Sequence, residues 1–301
     1  MRFKTHLLLL MCCALFACTG CDIFSSGWIT TASSSPEYDY VITYHLSGGQ
    51  NAVQNPGGYN KGHTQDIDLY DPSREGYVFD CWYADEELTL PIQKITVDPP
   101  EDIDIYAAWD FLYELGDEGL AGGLIFYRDE HDEFDWNYLE AAPSGWNGTS
   151  SDPFVIFGYY RTSTYSGCVT VGTERAIGSG KTNSENLANA MGETAYNDLD
   201  DRSSTDNYAA KICEDYSVVR NLITYDDWFL PSIDELVAMK QNLHDHRVGG
   251  FEYDEYWSSS EANEPSFYAP IISWMQDFGN ATPGPPLTKQ YSCYVRPIRA
   301  F

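Results

Sequence analysis

A chain of 301 residues is long enough for about two domains. Its 46 Asp and Glu outweigh 17 Lys and Arg, for a formal net charge of −29, and a surface of that sign repels phosphates and anionic headgroups, which argues against a nucleic-acid partner. The 23 Tyr, 14 Phe and 8 Trp supply enough aromatic surface for sizeable cores.

The chain opens with Arg2 and Lys4 ahead of an apolar run from Leu7 to Ala17. This is the layout of an export signal, and the run is too short for a comfortable bilayer span of roughly 20 residues. Leu15-Phe16-Ala17-Cys18 resembles the lipobox of bacterial lipoproteins, with Cys21 after Thr19-Gly20 as a second candidate. The resemblance implies a lipoprotein signal peptide over 1–17, a lipid on Cys18, and an exported protein anchored at the bacterial cell envelope and exposed on its surface. Contact with the outer membrane is then expected through the N-terminal lipid alone. Residues 18–37, with Ser33-Ser34-Ser35-Pro36, read as a flexible tether.

Beyond the export segment stand Cys81, Cys168, Cys213 and Cys293. An even count in an oxidising compartment permits disulfides, but the sequence does not choose among the connectivities. No pair has CxxC spacing, so a structural zinc site has no support.

Residues 38–110 read as one β-rich unit. Tyr40, Ile42, Tyr44 and Leu46 alternate with polar neighbours, the period of a half-buried strand. Gly48-Gly49 and Asn55-Pro56-Gly57-Gly58 mark turns after it, and further strands are expected from Tyr77 to Tyr83 and from Ile103 to Trp109. Tyr44…Gly48-Gly49, Pro72…Gly76-Tyr77…Phe79…Trp82-Tyr83 and Tyr106-Ala107…Trp109 are similar to the internalin-type B repeat, also called the Listeria–Bacteroides repeat. Cys81 stands where that family usually has glycine. The resemblance implies a β-grasp-like spacer or stalk on a cell surface.

Residues 115–301 read as a second domain of the α+β class. Gly116 to Tyr127 is glycine-rich and runs into a strand, the wrong order for a phosphate loop, which needs strand, loop, then helix. Strands are expected around Tyr138–Ala142 and Phe154–Tyr160, and helices from Thr182 and over 208–216. In Asp227-Trp228-Phe229-Leu230-Pro231-Ser232-Ile233-Asp234-Glu235-Leu236, Pro231 ends one segment and Ser232 with Glu235 forms a capping box for the next. Leu236, Met239 and Leu243 come after it at helical spacing toward a core, with Asp234, Lys240 and Gln241 outward. That block, then Tyr256-Trp257-Ser258-Ser259-Ser260-Glu261, then Tyr294-Val295-Arg296-Pro297-Ile298-Arg299-Ala300-Phe301, resembles the C-terminal domain of the Legionella collagen-like adhesin family. The resemblance implies a C-type-lectin-like fold. In that fold a long helix is commonly tied to the final strand by a disulfide, which implies Cys213 with Cys293; the rival is Cys168 with Cys293.

Candidate chemistry is sparse. The cluster from Asp129 to Asp135 offers hard oxygen ligands, but it lacks the glycine and spacing of a helix-loop-helix calcium loop and is read as a solvated hairpin turn. Glu264-Pro265-Ser266 and Trp274-Met275-Gln276-Asp277 depart from the Glu-Pro-Asn and Trp-Asn-Asp signatures of calcium-dependent lectins. His244-Asp245-His246 is read as surface histidines. No motif of a hydrolase appears. The expectation is therefore no metal, no cofactor and no enzyme activity. The loop from Glu261 to Ser273 is expected to carry the ligand surface, with Glu264, Phe267, Tyr268 and Asp277 lining it. Sulfated glycans would require Lys289, Arg296 and Arg299 to form a local basic patch. The function expected is non-catalytic adhesion or recognition of a glycan or protein outside the cell. The alternatives are a structural envelope protein and, third, an enzyme on the lectin-like scaffold.

Overall fold

The computed structural model describes residues 38–301 apart from 99, 163–166, 198, 200–202, 263–268 and 281–283. The export segment, Cys18 and the tether lie outside the described residues.

The first unit is built from strands that alternate as the sequence does. Tyr40–His45 runs parallel to Ile103–Phe111, which pairs antiparallel with Tyr77–Tyr83. The short strands Gly58–Tyr59 and Pro91–Ile92 complete a sheet of five. One face carries Ile42, Trp82, Ile105 and Ala107 into a core closed by Tyr59, Ile95 and Val97. The register slips between Phe79 and Trp82, so Phe79 and Trp82 both pack on that core and their rings lie 5.3 Å apart.

The two units are locked at a polar and aromatic joint. The Tyr138 hydroxyl donates to Gly76 O (2.7 Å) and accepts from Leu112 N (2.8 Å). Arg74 stacks on Tyr77 at 3.7 Å and pairs with Asp132. Asn137 presses so closely on Gly76, whose φ is +78°, that a Cβ there would meet it at 2.6 Å. Only glycine fits both the turn and the contact.

The second unit is α+β. Ile298–Ala300, Tyr138–Ala141 and Leu124–Arg128 form a sheet of three, and Phe154–Ile156, Ser292–Tyr294, Glu255–Glu261, Ile272–Asp277 and Leu287–Thr288 a sheet of five. Helices α1 (Gly180–Met191), α2 (Ala209–Glu214) and α3 (Ile233–Asn242) pack against them. Glu255–Glu261 is the spine. Successive side chains of a strand point to opposite faces. Trp257 accordingly joins a core with Phe157, Tyr208 and Leu230, and Tyr256 one with Phe126, Leu236 and Phe278. The next three residues are serines, all wholly buried. Each is partnered, as buried hydroxyls must be: Ser258 donates to Trp274 O, Ser259 accepts from Asn183, and Ser260 bridges Glu174 O and Ile233 N.

The three sequence blocks of the second domain meet in space. Phe229 and Ile298 exchange both backbone hydrogen bonds, and Ser259 N donates to Pro231 O at 2.7 Å. The capping box forms: Ser232 Oγ accepts from Glu235 N, and Glu235 Oε2 accepts from Ser232 N. Leu236, Met239 and Leu243 are fully buried, each contributing roughly 2 kcal/mol by transfer from water.

Several expectations are corrected. Lys240 is buried, because Asp245 five residues on reaches its ammonium at 2.7 Å. His244 is not a surface residue: it packs against Phe251, Tyr253 and Phe278, and burial lowers its pKa. Cys213 and Cys293 share one core, but as free thiols. Burial pushes both thiols up, and the thiolate needed for disulfide exchange is thereby suppressed. Cys81 and Cys168 are free as well. Among the described residues no helix is long and apolar enough to cross a membrane.

Candidate functional site

Of the residues expected to line a ligand surface, Glu264, Phe267 and Tyr268 lie outside the described residues. Asp277 ends the strand Ile272–Asp277, where its carboxylate accepts from Gly279 N and the Asn280 amide and so closes a turn.

The basic patch that a sulfated ligand would need is absent at the named positions. Lys289 and Glu261 form an ion pair at 2.6 Å with both side chains 1% exposed. Arg296 is equally buried against Asp152 and also donates to the carbonyls of Ala142, Gly249 and Gly250. Arg299 is spent on Glu140 and Asp227. These cations hold the fold together, and none is presented to solvent as a docking group.

What the second domain does present is a cleft of about 350 Å³ between the start of α1 and the final strand. It lies on the side of α3 marked by Glu235. Small-molecule sites of roughly 300–1,000 Å³ typically combine apolar walls with a few placed polar groups; this cleft is more polar than that, with Asp135, Lys181, Thr182 and Glu235 beside Trp136, Phe301 and the buried Leu139 and Phe229. The repeat unit has a larger hollow, about 650 Å³, but it is an open surface trough among turns of its own loops.

The cleft's parts are placed by local chemistry. Asp129 is 2% exposed, and its carboxylate accepts from His131 N and from Phe134 N (2.8 Å). The acidic run is thus a turn tied by its own first carboxylate. Among the described residues no group of three or more His, Cys, Asp or Glu is arranged to hold a metal ion. The tied turn delivers Phe134 and Trp136, whose rings stack at 4.3 Å and 4°. Phe134 in turn rests on Gly178, where φ is +85° and a Cβ would meet the ring at 2.6 Å. An indole backed by a second ring on bare backbone is held without much freedom, and the aromatic pair contributes roughly 1 kcal/mol beyond its buried area.

The floor is Glu235. Its Oε1 accepts from Gly178 N at 2.8 Å while Oε2 serves the capping box, and a Cβ on Gly180 would meet Oε2 at 2.2 Å. Burial raises its pKa to about 7, against the backbone donors from Ser232, Gly178 and Gly180, which favour the charged form. With each oxygen accepting from a backbone N–H group, this carboxyl fastens the start of α3 to the loop before α1. Lys181 and Thr182 stand exposed on the first turn of α1. The arrangement can hold a ligand through an aromatic surface, donors and an acceptor.

Trp136, Lys181 and Thr182 carry no motif that would single them out in the sequence as site residues. The one signal is Phe134 and Trp136 two residues apart inside a run of charge, an odd place for large aromatic rings unless something holds them.

Residues 40–108 match the Listeria-Bacteroides repeat domain, so the first unit is similar to that family over nearly all of its sheet. No curated protein matches the chain.

Proposed function

We propose that the protein is a non-catalytic lipoprotein of the bacterial cell surface, whose C-terminal head recognises a ligand outside the cell. On this reading Cys18 carries the lipid, the repeat unit is a spacer, and the head has the C-type-lectin-like fold that its three C-terminal blocks resemble. The observation that carries the reading is the cleft between α1 and the final strand: a half-enclosed hollow with a braced indole and exposed polar side chains. The locked joint at Gly76 and Tyr138 supports a spacer role, since it fixes the direction in which the head faces.

The test uses the purified mature chain against panels of glycans and envelope proteins. A bound partner is expected, with binding lost in Lys181→Glu, whose side chain is exposed. Binding should persist in Val219→Ser, on an exposed hairpin that contributes nothing to the cleft's lining. Binding that Lys181→Glu leaves intact would refute the cleft as the recognition site.

A further inference from the structure

Val218–Arg220 and Ile223–Tyr225 form a two-stranded ribbon of their own, joined by Asn221 and Leu222. The ribbon is anchored at its root. Val218 and Tyr225 pack with Trp146 on the buried Trp228, and Arg220 pairs with Glu118 and lies against Gly122. The far end stands in solvent, with Val219 67%, Leu222 99% and Ile223 54% exposed. We propose that this ribbon is a second docking element, separate from the cleft, whose apolar tip enters an apolar socket ringed by lysine and arginine on another protein.

Folding does not account for these side chains. Valine and isoleucine suit a strand wherever it lies, but the leucine at the tip suits nothing local. Arg220 pairs with Ile223, so Asn221 and Leu222 make a two-residue turn, with φ of 52° and 68°. Two positive values mark a type I′ turn, whose second position favours glycine because a side chain there crowds the backbone. Leu222 bears that crowding and leaves its whole side chain in water. Single exposed apolar residues are ordinary; three on one projecting tip form a patch of the kind that marks a contact surface. Burial against a partner would offset both the crowding and the exposure, and the tight turn presents the leucine in a fixed direction.

Charge decides what the partner is. The root of the ribbon is acidic: Asp226 follows it and Asp117 adjoins Glu118, both exposed, while Asp215 before it is one of two carboxylates around Lys211. The charge of Arg220 is already matched by Glu118. An interface has an apolar centre and a polar rim, so the complement of this surface is an apolar socket with a cationic rim. A bilayer fits less well, because anionic headgroups repel an acidic root and attract basic flanks that the ribbon lacks. A second copy fits no better. It brings the same net charge of −29, and its Lys240, Lys289, Arg296 and Arg299 are buried in ion pairs that leave them unable to form a rim.

The experiment places a diazirine analogue of leucine at position 222 of the full chain, in the cells that make it, and identifies by mass spectrometry what irradiation attaches. The attached protein is then purified and titrated against the mature chain and its variants. It is expected to be rich in Lys and Arg, with an affinity that falls as NaCl rises from roughly 50 to 500 mM. Leu222→Gly should weaken binding at least about tenfold with little change in the unfolding midpoint, since glycine suits that turn position. Ile223→Thr, which keeps the strand, should weaken it as well. Asp117→Asn with Asp226→Asn should slow association severalfold. Lys181→Glu and Val219→Ser separate the two surfaces: the first should release only the cleft's ligand, the second only this partner. A protein lost with Lys181→Glu and retained by Leu222→Gly belongs to the cleft, and overturns this inference while leaving that reading in place. Attachment to lipid alone, with binding to phosphatidylcholine or phosphatidylglycerol vesicles, would make the tip a membrane contact. Attachment to a second copy, with a dimer in sedimentation, would make it a self-interface. Either overturns the proposal, as does no attachment at all, or an affinity indifferent to salt and to the two aspartates.

Discussion

Removing the Asp152 carboxylate should be the most damaging single change in the second domain. Asp152 accepts from Arg296 Nε at 2.8 and 3.0 Å, pairs with Arg296 Nη2 at 2.7 Å, and also accepts from the Tyr256 hydroxyl (2.7 Å) and the Trp146 indole N–H (3.0 Å). Asp152→Ala leaves a guanidinium with 1% side-chain exposure with three backbone carbonyls and no counter-charge. Breaking one partner of a buried ion pair typically costs about 3–5 kcal/mol, because the other charge stays buried. The orphaned Tyr256 and Trp146 donors add roughly 1 kcal/mol each. The double variant Asp152→Ala/Arg296→Met removes both charges, so its cost should fall well short of the sum of the single changes and sit within about 1 kcal/mol of Asp152→Ala alone. Urea unfolding followed by tryptophan emission measures this, with Trp146 beside the changed residue as a local reporter. A cost for Asp152→Ala under about 1 kcal/mol, or single costs that simply add, would refute the network account.

The same geometry sets three further outcomes. Glu235 has a folded-state pKa of about 7, above the usual carboxylate value. Its stabilisation relative to the unfolded chain is therefore fully present below the ordinary carboxylate pKa and is lost as pH rises through about 7. Glu235→Gln, which cannot titrate, should cost more stability at pH 5 than at pH 8 when both proteins are unfolded in urea across that window; a gap that widens with pH contradicts the assignment. Gly178→Ala places a methyl at φ +85° against the Phe134 ring and should cost about 2 kcal/mol or more, read as a lower unfolding midpoint; an unchanged midpoint would show that the ring is not seated there. The cysteines give a chemical check. Native protein should be alkylated first at the half-buried Cys81 and Cys168, and Cys213 and Cys293 should react only on unfolding, without reductant. Peptides from Cys213 and Cys293 that stay blocked until reductant is added would show a disulfide.

Much of the local structure is readable in the sequence because it depends on near neighbours. Ser232 and Glu235 stand three residues apart, so the start of α3 and its face of Leu236, Met239 and Leu243 come from spacing alone. The alternation of Tyr40, Ile42 and Tyr44 marks a strand for the same reason, and the Listeria-Bacteroides repeat over 40–108 rests on such short-range signals. The boundaries drift where propensity is weak: α1 begins at Gly180, two residues before the expected Thr182, with Ser179 as its cap and no side-chain cap bond to announce it.

What the tertiary structure decided is the fate of the charges and the location of a cleft. Arg296 finds Asp152 from 144 residues away, Arg299 finds Glu140 from 159, and Lys289 finds Glu261 from 28. A cation's sequence neighbours say nothing about such partners, so three buried struts read as a possible surface patch. The cleft is likewise assembled from the turn after Asp129, the start of α1, the capping carboxylate of α3 and the final strand. Sequence determined each of those elements, because hydrophobic period and capping chemistry act within a few residues. Only the packed fold decided which side chains they would bring together, because burial and ion pairing act between segments that the chain itself keeps far apart.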